Sequence, residues 1–285
     1  MATGCINGWR FGAVALLLAG LLAIPDVARA GSDNDMLRAE LETLAAGTHR
    51  AEGHAARNIS RRPVETLMWF GLEPDMTVVE IWPGRSGWYT EILAPFVNES
   101  GHFIAAGFVT DSNVDYYNTA NAQFSTKLRT HPDLYGNARV TVLGEGAYDI
   151  APAGSADRVL TFRNVHNWES RSYAQDVFDA MYRALKPGGI LGVVEHRANP
   201  YVDAEADVTQ GYVTEAAVIA YAEAAGFERL GRSEVNANPR DTKDYAKGVW
   251  TLPPTLRLGD EDREKYLAIG ESDRMTLSFV KPYED

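Results

Sequence analysis

Cysteine is almost missing from this sequence: Cys5 is the only one among 285 residues, and it precedes the first apolar run. Beyond that run, disulfides, thiolate nucleophiles and Cys-ligated metals are therefore excluded. Positive charge is also scarce. Twenty-seven Lys and Arg stand against 39 Asp and Glu, a net charge of −12, and nothing like a basic stripe occurs. That balance argues against nucleic acid or an anionic membrane as the main partner. No HExxH or comparably close pairing is present, so no metal is expected in the site. There is no internal repeat, low-complexity tract or Pro/Ser linker, and a single domain is preferred over two.

The longest apolar run, Phe11 to Ile24, follows Arg10 and precedes Ala28-Arg29-Ala30. A run of about 14 residues is short for a membrane span, and the A-x-A triplet is a cleavage signal. A signal peptide cut after Ala30 is expected, with an uncleaved anchor as the alternative. Cleavage would remove Cys5, two arginines and Asp26, leaving an exported, more acidic chain that is expected in the periplasm.

What is abundant is alternation. Ser32 to Phe70 reads as helical, with Met36, Leu37, Leu41 and Leu44 at helical spacing and Pro63 placed to start a second helix. Residues 31–75 are expected to form an N-terminal helical cap. Strands are expected at Thr77–Trp82, His102–Phe108, Arg139–Leu143, Arg158–Phe162, Ile190–His196, Glu228–Val235 and Met275–Val280, with helices at Trp88–Phe96, Tyr116–Arg129, Ser172–Leu185 and Thr214–Ala225. That rhythm implies a mostly parallel sheet covered on both faces. The long segment 236–272 interrupts it; loops of such length are usually functional, and this one is expected to be an insertion or lid.

The stretch Glu80-Ile81-Trp82-Pro83-Gly84, with Gly87-Trp88-Tyr89-Thr90-Glu91-Ile92, opens the alternating part. Phe162-Arg163-Asn164-Val165-His166-Asn167-Trp168 and Val193-Val194-Glu195-His196-Arg197-Ala198 end two later strands. Together these strings resemble the class I S-adenosylmethionine-dependent methyltransferases, and more narrowly an exported group of predicted methyltransferases, over roughly residues 60 to 281. The resemblance implies a Rossmann-like, seven-stranded α/β sheet, mostly parallel with an antiparallel last strand. It also implies that S-adenosylmethionine is the cofactor, bordered by Glu80, Trp82, Pro83, Gly84, Gly87 and Trp88, with Glu145 toward its adenine side. Two positions depart from the family pattern. Trp82 stands where the family carries Gly, and the second strand ends in Ala105-Ala106-Gly107-Phe108 without the acidic residue that holds the ribose. Loss of those charge-assisted bonds is expected to cost about 2–3 kcal/mol.

His166 is the leading candidate catalytic residue, since a histidine at a strand end can accept a proton near neutral pH; a backbone-bonded loop cap is the alternative. Asn164 would act with it, and Asn167, Trp168, Glu195, His196 and Arg197 would hold the substrate. Glu195 to Arg197 read equally as a buried ion pair. Arg57, Arg61 and Arg62 are either a solvated helix face or an anion-binding cap. The expected function is methyl transfer to a small-molecule O or N acceptor, the alternatives being a non-catalytic envelope binding protein or a metal-assisted hydrolase using His166 and Glu195.

Overall fold

Seven runs become strands: β1 (Thr77–Ile81), β2 (His102–Phe108), β3 (Arg139–Leu143), β4 (Ala156–Phe162), β5 (Leu185–His196), β6 (Glu228–Ser233) and β7 (Arg274–Val280). The computed structural model describes residues 1, 4, 26–201 and 208–283. The apolar run Phe11–Ile24 lies outside the described residues. The chain divides into two compact units, Met1–Met36 and Leu37–Asp285, and the second holds the whole sheet. Helix α1 spans Asp26–Ala46, starting ahead of Ser32, and α2 (Asn58–Arg61) and α6 (Pro132–Tyr135) are each about one turn long. Among the described residues, no helix is long and apolar enough to cross a membrane.

The sheet order is β3-β2-β1-β4-β5-β7-β6. Pairings among β1 to β5 are parallel, and β7 runs antiparallel to both β5 and β6. The α/β fold with an antiparallel β7 is the one the sequence implies. Period-2 alternation sends successive residues to opposite faces: Val79 and Ile81 of β1 enter one core, and Val78 enters the other. The first core is closed by α8 (Ala174–Ala184), whose Val177, Phe178, Met181 and Ala184 are buried at helical spacing. The second takes Leu41 of α1, Leu67 of α3 (Pro63–Trp69), and Ile92, Leu93 and Phe96 of α4 (Thr90–Phe96).

One boundary differs from the sequence pattern. Lys186-Pro187-Gly188-Gly189 reads as a turn, yet β5 begins at Leu185 and carries these residues through an irregular register opposite Ala156–Arg158. Gly188, at φ 79°, takes up the distortion, a conformation glycine adopts without Cβ strain.

The segment after α1 is tied down through Glu91 of α4. Its buried carboxylate receives Arg50 (3.2 Å), His54 (2.7 Å), Lys127 and the Ala51 amide (3.0 Å). Burial raises the Glu91 pKa, but the bonds from His54, Lys127 and Ala51 outweigh it and hold the group at about 2. The insertion 236–272 is fixed rather than loose. Asn236 donates to Thr66 and Thr276, and Asp241 accepts from the Tyr212 hydroxyl and the Asp273 amide.

Candidate functional site

The sheet order reverses between β1 and β4, and open α/β sheets bind ligands at such a switch point, beyond the strands' carboxyl ends. A cleft of about 500 Å³ lies there. Its walls are the turn Trp82–Ser86 after β1, Phe108 of β2, Tyr116 and Tyr117 of α5 (Asp115–Thr130), and the segment Phe162–Asn167 after β4. A second cavity of about 240 Å³ adjoins it, sharing Arg57, Arg61, Arg163, His166 and Trp250 and adding His196, Glu271, Ser272 and Arg274.

Trp82 adopts φ 47°, an unusual conformation for a bulky residue. Several contacts hold it. Its amide donates to Ala106 O (2.8 Å), its indole N–H donates to Leu143 O (2.9 Å), and the ring packs on Phe108, Tyr117 and Trp168. At 5% exposure, the indole forms wall rather than obstruction. Pro83 and Gly84 line the cleft. A Cβ on Gly84, at φ 72°, would meet only the Tyr116 hydroxyl at 3.9 Å, so its backbone faces open space. Gly87 serves packing instead: a Cβ there would lie 2.8 Å from Phe124 and Thr90. Trp88 also lines the cleft, its ring centroid 4.4 Å from the guanidinium carbon of Arg50 and 4.6 Å from that of Arg61.

Glu80 points away into the protein and accepts from Thr90 Oγ1 at 2.6 Å. Burial is the main influence on it and raises its pKa from 4.5 to about 8, so it is mostly protonated at neutral pH. Because the folded value lies above the unfolded one, its stabilising contribution is complete below about 4.5 and disappears as pH rises through 8. Between pH 5 and pH 9, urea unfolding should show the wild type losing on the order of 3 kcal/mol more than Glu80→Gln. Equal losses in the two proteins would refute the assignment.

At the end of β4, Arg163 takes φ 63° and its amide donates to Val194 O at 2.7 Å. Asn164 then pins β1 to β4, donating from Nδ2 to Ile81 O (2.9 Å) and Thr161 Oγ1 (3.2 Å). His166 sits in the first turn of α7 (Val165–Glu169), and its Nδ1 lies 3.1 Å from Glu195 Oε1 at the end of β5. Glu195 is fully buried and also accepts from the amides of His166 and His196. A carboxylate there fixes Nδ1 as the protonated nitrogen, so Nε2 carries the lone pair, 3.0 Å from the Asn167 amide. His196 lies beside this pair, its ring 5.5 Å from that of His166 and its Nδ1 2.6 Å from Ser272 Oγ. Burial foremost, then His166 and the nearby arginines, push its pKa well down and keep it neutral. The facing ligand atoms of His166, Glu195 and His196 come within 4.8 Å of one another, as a metal triad requires. However, both Nδ1 atoms are engaged by Glu195 and Ser272, and the surrounding guanidiniums oppose a cation.

Glu145 and Arg197 stand outside both cavities, as do Glu80, Gly87, Trp168 and Glu195. Glu145 is exposed on the turn after β3. Arg197 is held by Asp273, Glu215 and Glu234, with the Asp273 bonds foremost in keeping it charged. Trp168 is completely buried behind Trp82 rather than on the cleft surface. Arg57 and Arg61 both turn inward, whereas Arg62 is exposed. Sequence patterns do not single out Arg163, Arg274, Glu271 or Trp250, all of which line these cavities. The available signals were weak: Arg163 lies inside the Phe162–Trp168 string, and Glu271 and Arg274 belong to a polar run resembling a surface anchor.

No family model matches the sequence, and no curated protein matches it. Solved structures share the fold. A methyltransferase from Aquifex aeolicus, described as dependent on S-adenosylmethionine, is 15% identical and superposes with a TM-score of 0.53 over 86% of this chain and 98% of its own. The geranyl diphosphate C-methyltransferase of Streptomyces coelicolor A3(2) is 14% identical, with a TM-score of 0.53 over 80% of each chain. The 4+2 cyclase SpnF is 16% identical, with a TM-score of 0.54 over 90% of this chain and 96% of its own.

Proposed function

We propose that this chain is an exported methyltransferase that moves a methyl group from S-adenosylmethionine to an O or N atom of a small acceptor. The observation that carries this proposal is the placement of His166 at the switch-point cleft, with Nδ1 held by Glu195 and the Nε2 lone pair against the Asn167 amide. The cofactor fits the cleft in size, since ligand pockets span about 300–1,000 Å³. It also fits at its methionine end, where the Gly84 backbone faces open space. Gly84, Pro83 and Trp88 would hold that end, and Phe108 and Tyr116 offer aromatic surface at the other. Export rests on the sequence features of residues 10–30.

When bound, the cofactor supplies an electrophilic methyl group on a sulfonium. The chain's own residues would position the acceptor and exclude water. Alignment in a closed site can supply about 7–11 kcal/mol of rate enhancement. Asn164 keeps the ends of β1 and β4 in fixed relation, so the two sides of the cleft cannot drift apart. His166 Nε2 accepts the proton that the acceptor atom gives up, and Glu195 stabilises the imidazolium that results.

Calorimetric titration or a thermal-shift assay with S-adenosylmethionine and S-adenosylhomocysteine at millimolar concentration tests this proposal; a saturable heat or rising Tm is expected. A flat response to both would instead favour a non-catalytic binding protein on the same fold. That alternative has its own support: among the described residues no Asp or Glu lines the 500 Å³ cleft, so the ribose hydroxyls lack a carboxylate partner.

A further inference from the structure

Around the smaller cavity, four guanidiniums meet one carboxylate. Glu271 accepts from Arg57 Nε (2.6 Å), Arg61 Nε (3.2 Å) and Arg274 Nη2. Three donors of this cluster are buried without any acceptor among the described residues: Arg57 Nη2, Arg61 Nη1 and Arg274 Nε. Arg61 and Arg274 are 3% and 2% exposed, so bulk water does not satisfy them. Arg163, at the mouth shared by both cavities, has no side-chain hydrogen bond or ion pair among the described residues. Four positive charges against Glu271 leave an excess of three. Counting Glu195 as well still leaves two, and its oxygens are already taken by His166 and backbone amides. Buried charges normally have partners, and a protein whose net charge is −12 has carboxylates to spare. The deficit is local, and it is built.

We propose that Arg57, Arg61, Arg163 and Arg274 bind a phosphate-class dianion, a group carried by the molecule that reaches His166. Guanidiniums are the side chains suited to such oxyanions, because their N–H forks match phosphoryl geometry. The open donors come from three places: the segment just before α3, the end of β4 and the start of β7. They number more than a carboxylate's two oxygens take in one bidentate pair, whereas a phosphoryl group offers three oxygens. The electrostatics agree. Burial first, then Arg163, lowers the Arg61 pKa well below its ordinary value, and burial followed by Arg274 lowers that of Arg163 to about 10. Each guanidinium is therefore held at the expense of its neighbours until an anion arrives. The amino-acid carboxylate of a cofactor would neutralise only one of the three excess charges.

Anion binding here stands independently of methyl transfer, and it is measured without S-adenosylmethionine. The purified protein should be titrated calorimetrically with inorganic phosphate, methyl phosphate and acetate. Saturable binding of phosphate and methyl phosphate is expected, at least tenfold tighter than acetate. Arg163→Met should reduce phosphate affinity tenfold or more while raising the Tm of the anion-free protein, because it deletes an unpaired charge. A purely structural arginine would lower the Tm. Arg163→Lys, which keeps the charge, should recover part of the affinity. Absence of phosphate binding, or acetate binding as tightly as phosphate, would overturn the proposal, as would an Arg163→Met protein that binds phosphate unchanged.

Discussion

Glu271→Gln is expected to lower the unfolding free energy by about 3–5 kcal/mol, the cost of leaving buried partners uncompensated. Three guanidiniums converge on this one carboxylate, and Arg61 and Arg274 have almost no access to water. The carboxylate ties the segment before α3 to the start of β7, so its loss should loosen the N-terminal cap from the sheet. Urea denaturation monitored by tryptophan fluorescence reads this directly. Burial raises the Glu271 pKa, but Arg274, Arg61 and Arg57 overcome it and hold the group well below the usual carboxylate range. Its contribution is therefore present above the unfolded value, near 4.5, and is lost as the pH falls below it. Phosphate offers a second readout. A ligand that binds only the folded state stabilises by about 2.7 kcal/mol at a hundred times its Kd, and an anion among the orphaned guanidiniums should restore much of the variant's stability. A loss below 1 kcal/mol would mean that Glu271 is not the keystone of this cluster.

His166→Asn is expected to slow methyl transfer by about 10²–10⁴-fold, the usual contribution of a positioned general base. The assay is S-adenosylhomocysteine formation with whichever acceptor supports turnover. Cofactor affinity should change little, since His166 follows β4 rather than lying along the Gly84 turn after β1. Glu195→Gln should approach the same loss by another route. An amide still accepts one hydrogen bond, but it no longer stabilises an imidazolium and does not enforce the Nδ1–H tautomer. The two losses should not multiply in the double variant, because the residues act as one unit. Full activity in Glu195→Gln would reduce the carboxylate to a packing element.

Local signals carried the fold. β2 and β3 begin and end where their apolar runs do, and α5 and α8 follow their helical spacing within a residue or two. The exception, β5, starts early because Gly188 accepts a conformation that lets a Pro-Gly-Gly run continue as strand. The site was legible only where it is local to a strand end. His166 and Glu195 each lie within a recognisable string, and parallel pairing of β4 with β5 brings them together. The anion cluster left no such trace. Arg57 and Glu271 are 214 positions apart and meet through tertiary packing alone. No spacing rule covers that distance, and an arginine that will be buried looks the same in sequence as one that will be solvated. Arg61 and Arg62 are adjacent; one is 3% exposed and the other faces solvent.

The antiparallel β7 also has a consequence in time. It follows every strand it pairs with, yet it lies between β5 and β6, so neither pairing can form until residues 274–280 exist. A chain grows at about 5–20 residues per second during synthesis. Throughout that interval the β5 edge is unpaired, Glu271 and Arg274 are missing, and Arg57 and Arg61 have nothing to hold. Sheet completion and site assembly are thus the same late event. A nascent chain cannot form this cavity ahead of its fold, and a chain truncated before β7 loses both together.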